Sequence, residues 1–350
     1  MKRGLRPEGH FHSAPRVRQR KTNPPRPTWE LVAILEWYFT RVFGVHEGPG
    51  ILPFYCDRSQ IGEFAVPAMD LAQGSDEALF RLFVALSMFQ GIRDAVVMKR
   101  QRSLGAEAVA GVASAAVVGK ATTQNDCPAL RASPALVSEC DVWKQGKSID
   151  CHSFPGRSCH VKIATATFNR MGDMGKLPTS AWLQIWKDRG PTVVLRRALK
   201  AEANPRAAAR AVVREFANVH RVGVKLASLF VSALSTPSLA PGVAPWFPAL
   251  DGHELVVVDT NVARAVDLLQ GDQGVARTYD ARQAWIREQA ARIDLRLYHR
   301  EVPRYSPRLV QQALYSYASN SNRNMRRDPC ADVPCSRCVA SLCPFHRSLP

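Results

Sequence analysis

Val219-His220-Arg221-Val222-Gly223-Val224-Lys225-Leu226-Ala227 decides how this chain folds. One apolar periodic run ends at its left edge and another begins at its right, with Gly223 between them. The pattern predicts a helix, a tight turn and a second helix. Upstream, Asn204-Pro205 supplies an N-cap and a first-turn proline for a helix running to Phe216. Downstream, Ala227, Phe230, Val231 and Leu234 share one face of a helix over Val224–Ser235. Such a turn aims the backbone N–H groups of a helix start at one spot. That suits a phosphate and reads no base sequence.

Working outward, a Pro/Gly-rich stretch, Pro237–Gly252, leads into Leu255-Val256-Val257-Val258-Asp259-Thr260-Asn261-Val262. Asp259 is placed to cap a helix whose buried stripe is Val262, Val266 and Leu269. Helical patterns follow at Ala281–Arg292 and at Pro307–Ala318, the latter opened by Ser306-Pro307. On the N-terminal side, helices are predicted over Trp29–Phe43, Asp76–Lys99, Thr179–Lys187 and Thr192–Ala201. From about Ser103 to Lys162 the periodicity is poor, and this stretch reads as an irregular insertion. No internal repeat is visible, strands are few, and the chain reads as all-α.

The 350 residues are 46% hydrophobic and 22% charged, roughly two domains' worth of folded chain. That excludes a disordered chain, a collagen-like fibre and a disulfide miniprotein. No apolar run approaches the ~20 residues needed to cross a bilayer. Met1-Lys2-Arg3 opens no secretory-type apolar stretch, so a cytoplasmic, nucleoid-associated protein without membrane contact is expected. Lys plus Arg exceed Asp plus Glu by 47 to 30, a net charge of +17, which points to a polyanionic partner, most simply nucleic acid. Residues 1–28 form a basic tail, in which Lys2, Arg3, Arg6, Arg16, Arg18, Arg20, Lys21 and Arg26 face only Glu8. Free, it is expected to be disordered, either lying along phosphates or simply solvated. Arg189, Arg196, Arg197, Arg206, Arg210 and Arg214 are further candidates for a DNA-facing surface.

Nine cysteines in a reducing compartment argue for metal rather than disulfides. Cys330, Cys335, Cys338 and Cys343 fall within fourteen residues, close enough to converge on one centre. Four closely spaced thiolates fit a cubane cluster better than zinc, since only Cys335 and Cys338 make a close pair; zinc remains the alternative. A looser set, Cys140, Cys151-His152 and Cys159-His160, has the ligand types of a second zinc site.

Read together, the hairpin, the loop leading to Asp259 and the terminal cysteines resemble the helix-hairpin-helix, Gly/Pro-loop, aspartate superfamily of DNA glycosylases. The resemblance is to the iron–sulfur branch typified by endonuclease III. Arg221–Ala227 matches the family's hairpin and Val258–Val262 its aspartate motif. Leu82–Asp94, with Phe89-Gln90-Gly91, is similar to the family's early helix ending in a glutamine, and Gln311-Gln312-Ala313-Leu314-Tyr315 is also family-like. The resemblance covers about 76–94 and 177–344. It implies a two-lobed all-α fold. One helical-barrel lobe spans 76–261, including the insertion near 103–162. A second lobe joins 29–75 to 262–350 and carries a C-terminal [4Fe–4S] loop.

It further implies a base-excision enzyme with AP-lyase activity on double-stranded DNA, expected to act as a monomer. Lys225 would be the Schiff-base nucleophile, partly neutral in its helix's first turn, and Asp259 the carboxylate that stabilises charge on the sugar. Gln90 would fill the gap left by a flipped base. Arg221, Gly223, Val224, Arg326, Arg327 and Arg337 would contact DNA, and Cys330, Cys335, Cys338 and Cys343 would hold the cluster. Two alternatives stay open, a monofunctional glycosylase in which Asp259 activates water and a non-catalytic DNA-binding protein of the same fold. The sequence departs from the family at several points. His220-Arg221 stand where the family has Pro-Gly, Asn261 replaces a histidine, and the cysteine spacing is tighter. The loop Thr236–Glu254 is enlarged, and its Trp246 and Phe247 either help form a base pocket or pack over the core.

Overall fold

The computed structural model describes residues 28–43, 51–140, 142, 150–151, 154–168, 172–187, 190–271, 277–319 and 339–343. In chain order the helices begin with α1 (Trp29–Arg41), α2 (Ile51–Cys56), α3 (Arg58–Ile61), α4 (Ala68–Ala72), α5 (Asp76–Ser87) and α6 (Asp94–Arg102). There follow α7 (Ala106–Ala113), α8 (Ala115–Thr123), α9 (Ser133–Glu139) and a two-stranded antiparallel ribbon of β1 (Asp150–Cys151) and β2 (Phe154–Ser158). Next come α10 (His160–Phe168) and α11 (Lys176–Ala181), which continues as a π-turn through Trp186, then α12 (Gly190–Ala201), α13 (Pro205–Phe216) and α14 (Gly223–Ser235). The series closes with α15 (Thr260–Gln270), α16 (Tyr279–Ala291) and α17 (Pro307–Ala318). The fold is all-α. No described helix is long and apolar enough to cross a membrane.

Local signals set most of these boundaries. Thr28, Asn204, Thr278 and Ser306 accept hydrogen bonds from first-turn amides of α1, α13, α16 and α17, satisfying donors the helices leave open. Two apolar cores organise the helices. In the first, Phe83, Phe216 and Phe230 of α5, α13 and α14 meet at ring-centroid distances of 5.0–5.4 Å, with Trp186 edge-on to Phe80. The second gathers α1 and α15–α17, with Trp37 edge-on to Tyr317 at 5.0 Å. Val256 and Val258, on the segment entering α15, belong to this second core.

Three expectations change. Residues 51–72, assigned from sequence to the second lobe, contribute Leu52, Tyr55, Phe64 and Leu71 to the first core instead. The helix predicted over Asp76–Lys99 is two helices, broken where Gly91 takes a φ of +65°, a region open to glycine at little cost. The start of the supposed insertion, 106–123, is regular. There α7 and α8 bury Val109, Val112, Ala113 and Val118 in the first core. Their Ala, Val and Gly composition carries little amphipathic signal, and tertiary packing decides the conformation. The enlarged loop also packs inward. Trp246 lies 5.7 Å from Phe230 and joins the first core, while Phe247 stays 43% exposed.

Candidate active site

The hairpin turn forms without the glycine it is expected to need. Arg221 takes a φ of +68°, the one non-glycine among the described residues with a positive φ, at a cost of about 1–2 kcal/mol. Asp173 holds it there. Its carboxylate accepts from Arg221 Nε at 2.6 Å and from His220 Nε2 at 2.9 Å. The His220 amide donates to Ser180 Oγ at 3.0 Å, and Ser180 in turn meets Ser133 of α9 at 2.7 Å. Burial pushes the Asp173 carboxyl up, but the Arg221 hydrogen bond and the charges of His220 and Arg221 outweigh it and hold the group below its ordinary value. Burial lowers His220, with the Asp173 charge and hydrogen bond opposing in part. Segments flanking the hairpin thus supply the conformation that glycine supplies elsewhere.

Gly223 also has a positive φ, +57°, and open space where a Cβ would stand. No side chain caps α14, so its first-turn amides face outward beside Val224, which is 53% exposed. The dipole and free donors of an uncapped helix start favour negative charge beside it. Lys225, the third residue of α14, is half-buried.

Asp259 caps α15, with Oδ1 accepting from Val262 N at 2.7 Å. Oδ2 takes no hydrogen bond among the described residues. The extended segment before it has no strand partner among the described residues, and buried side chains pin it instead. Gln283 Nε2 donates to Val256 O at 2.6 Å, and Gln311 Oε1 accepts from Val257 N at 3.4 Å. Gln311 is itself held by Arg308, whose guanidinium is 1% exposed and also donates to Ser232 of α14 and Gln312. Burial pushes Arg308 down to about 10, which leaves it charged at neutral pH, with Asp259 among the groups favouring that charge.

Lys225 and Asp259 come from different cores, yet both interact electrostatically with a third residue, Asp94, the first of α6. The Tyr315 hydroxyl donates to the Asp94 carboxylate, and Tyr55 stands close to both. Burial pushes the two phenols well above their ordinary range, so they stay neutral donors. Burial, followed by the like charge of Asp259, pushes the Asp94 carboxyl up, with Tyr315 and Lys225 opposing. Lys225 and Asp259, from helices of different cores, thus both lie within electrostatic reach of Asp94. No family model, curated protein or solved structure matches the chain.

The remaining site residues are placed as follows. Gln90 is half-buried and folds back, donating to Ser87 O at 2.6 Å and touching Met174 Sδ at 3.8 Å. Arg206 and Arg210 are engaged by Asp251 and Glu254, and Arg197 by Glu215, so these three are not open cations of a DNA face. Cys343 packs against the second core beside Val339 and Leu342, and Tyr317 bonds the Val339 backbone. Cys330, Cys335, Cys338, Arg326, Arg327, Arg337, Arg189, His152 and the tail 1–27 lie outside the described residues. Of the looser set, Cys140 and Cys159 share a small apolar cluster, while His160 turns its Nε2 to the hydroxyls of Thr122 and Thr179. Among the described residues no three ligating side chains converge. Asp94 went unread in the sequence. Its one signal is that it is the lone carboxylate between Glu77 and Glu107.

Proposed function

We propose that this chain is a bifunctional DNA glycosylase and AP lyase acting on double-stranded DNA. The observation that carries the reading is that Lys225, at an uncapped helix start beside the hairpin turn, and Asp259, at the start of α15, both lie within electrostatic reach of one half-buried carboxylate, Asp94. The hairpin amides would take a backbone phosphate, setting the duplex against the junction of the cores. The Lys225 amine attacks C1′ of the flipped nucleotide, and Asp259 stabilises the positive charge that develops on the sugar as the base leaves. Gln90 would release Ser87 and Met174 to enter the vacated stack. The four terminal cysteines would hold a [4Fe–4S] cluster, and the docking of Cys343 on the second core fits a bracing role for it. Equal amounts of iron and sulfide in the purified protein would support this, and zinc in their place would return the alternative.

Borohydride trapping tests the proposal. Wild-type protein mixed with a duplex containing one abasic site should give a covalent adduct on a denaturing gel, and Lys225→Ala should give none. No adduct with wild type, despite tight DNA binding, would sink the lyase reading. A Lys225→Ala variant that still excises a base would move the chemistry to water activated by Asp259.

A further inference from the structure

Arg308 is the largest fully buried side chain among the described residues. Its partners, Ser232, Gln311 and Gln312, are all neutral, and no described carboxylate lies within ion-pair distance of it. A charge buried among neutral groups is poor material for stability alone. What a guanidinium does supply is geometry, because its N–H donors leave one rigid plane in fixed directions. Two of those directions lead toward the residues of the proposed reaction. Nε donates at 3.0 Å to Ser232 Oγ, and Lys225 stands seven residues earlier, two turns away on the same face of α14. Nη1 donates at 2.6 Å to Gln311 Oε1, which also accepts from Val257 N at 3.4 Å, two residues before Asp259. Gln283 separately holds the neighbouring Val256 carbonyl at 2.6 Å. Among the described residues the Ser232 bond is the one hydrogen bond that joins α14 to α17. We infer that Arg308 is a positioning residue, which sets α14 and its Lys225 in register with the segment carrying Asp259, so that amine and carboxylate address the same sugar. The inference rests on the proposed roles of Lys225 and Asp259. Arg308 bonds to neither and moves no proton. Its effect falls on attack at C1′, a step sensitive to placement on the ångström scale. Capture of the duplex, assigned to the hairpin amides, should not depend on it.

The test separates placement from binding. Single-turnover borohydride trapping on a duplex with one abasic site reads Schiff-base formation. Affinity for the same duplex carrying a tetrahydrofuran analogue of that site reads binding. Arg308→Lys keeps the charge but puts one nitrogen where the fork has several, and Ser232→Ala removes the acceptor on α14. The trapping rate constant should fall on the order of 100-fold in Arg308→Lys and about tenfold in Ser232→Ala, with analogue affinity within about twofold of wild type. The double variant should trap no more slowly than Arg308→Lys alone, because both changes break the same link. Wild-type trapping in both single variants overturns the assignment. A loss of trapping matched by an equal loss of affinity does the same, as does full multiplication of the two losses. If Arg308→Lys melts below the assay temperature, Ser232→Ala decides alone, and a wild-type rate there counts against the assignment. Failure of the underlying reading looks different, because wild type itself would then trap nothing. The link is read in that case by amide exchange over Leu255–Asp259, which should quicken in Arg308→Lys; unchanged exchange overturns it.

Discussion

Arg221 occupies a backbone conformation that an L side chain enters only under constraint, and Asp173 is the constraint. The two sites can be separated by mutation. Arg221→Gly removes about 1–2 kcal/mol of backbone strain and a half-exposed ion pair of small worth, so its unfolding free energy should stay within about 1 kcal/mol of wild type. Asp173→Ala keeps the strain and removes both bonds, and should cost about 2–3 kcal/mol in denaturant unfolding. In the Arg221→Gly background the same Asp173→Ala change should cost less, because the residues couple. At this scale the sequence was legible where chemistry comes with a motif. Lys225 follows a turn glycine and Asp259 precedes a helix, and both stand where the reading placed them relative to those elements. Asp94 has no periodicity and no partner nearby in the chain. Its surroundings, Tyr315, Asp259 and Lys225, come from segments distant in the chain.

Helix ends were readable wherever a cap or a proline announced them, as at Asn204-Pro205 for α13 and Ser306-Pro307 for α17. They were missed where a single glycine decides, as at Gly91, or where the residues are small. The run through α7 and α8 is the clearest case, and its two glycines behave oppositely. A Cβ on Gly119 would stand 2.5 Å from the indole nitrogen of Trp182, a rigid neighbour in the first core. Gly119→Ala should therefore destabilise by about 1–3 kcal/mol through overpacking. Gly111, one helix earlier, has open space around the corresponding position. Gly111→Ala should stabilise by up to about 1 kcal/mol through helix propensity alone. Thermal melts of the two variants, run side by side, check the opposite signs. Equal shifts would mean that α8 does not press on Trp182.

Across the whole molecule, three histidines, His253 buried and His160 and His220 half-buried, share one electrostatic bias. His160 is pushed down to about 4 by burial, and His220 and His253 are lowered chiefly by the same cause. Folded, they are neutral at pH values where the unfolded chain has begun to protonate them. Stability is therefore full above about pH 6.5 and drains away as the pH falls toward the folded values. For His160 alone the loss is on the order of 3 kcal/mol by pH 4. Urea unfolding between pH 7.5 and 4.5 should show it, and His160→Asn should flatten the slope by up to about 1.4 kcal/mol per pH unit below about pH 6. An identical slope in the variant would mean that His160 titrates normally.

Arg308 has a mechanical corollary. Its guanidinium fastens Ser232 on α14 to Gln311 and Gln312 on α17, shut away from solvent. Of these three bonds the one to Ser232 crosses between the helices, and sliding one past the other would break it with no water at hand to replace it. The joint between α14 and α17 is a clasp with a buried charge at its centre, closed to solvent.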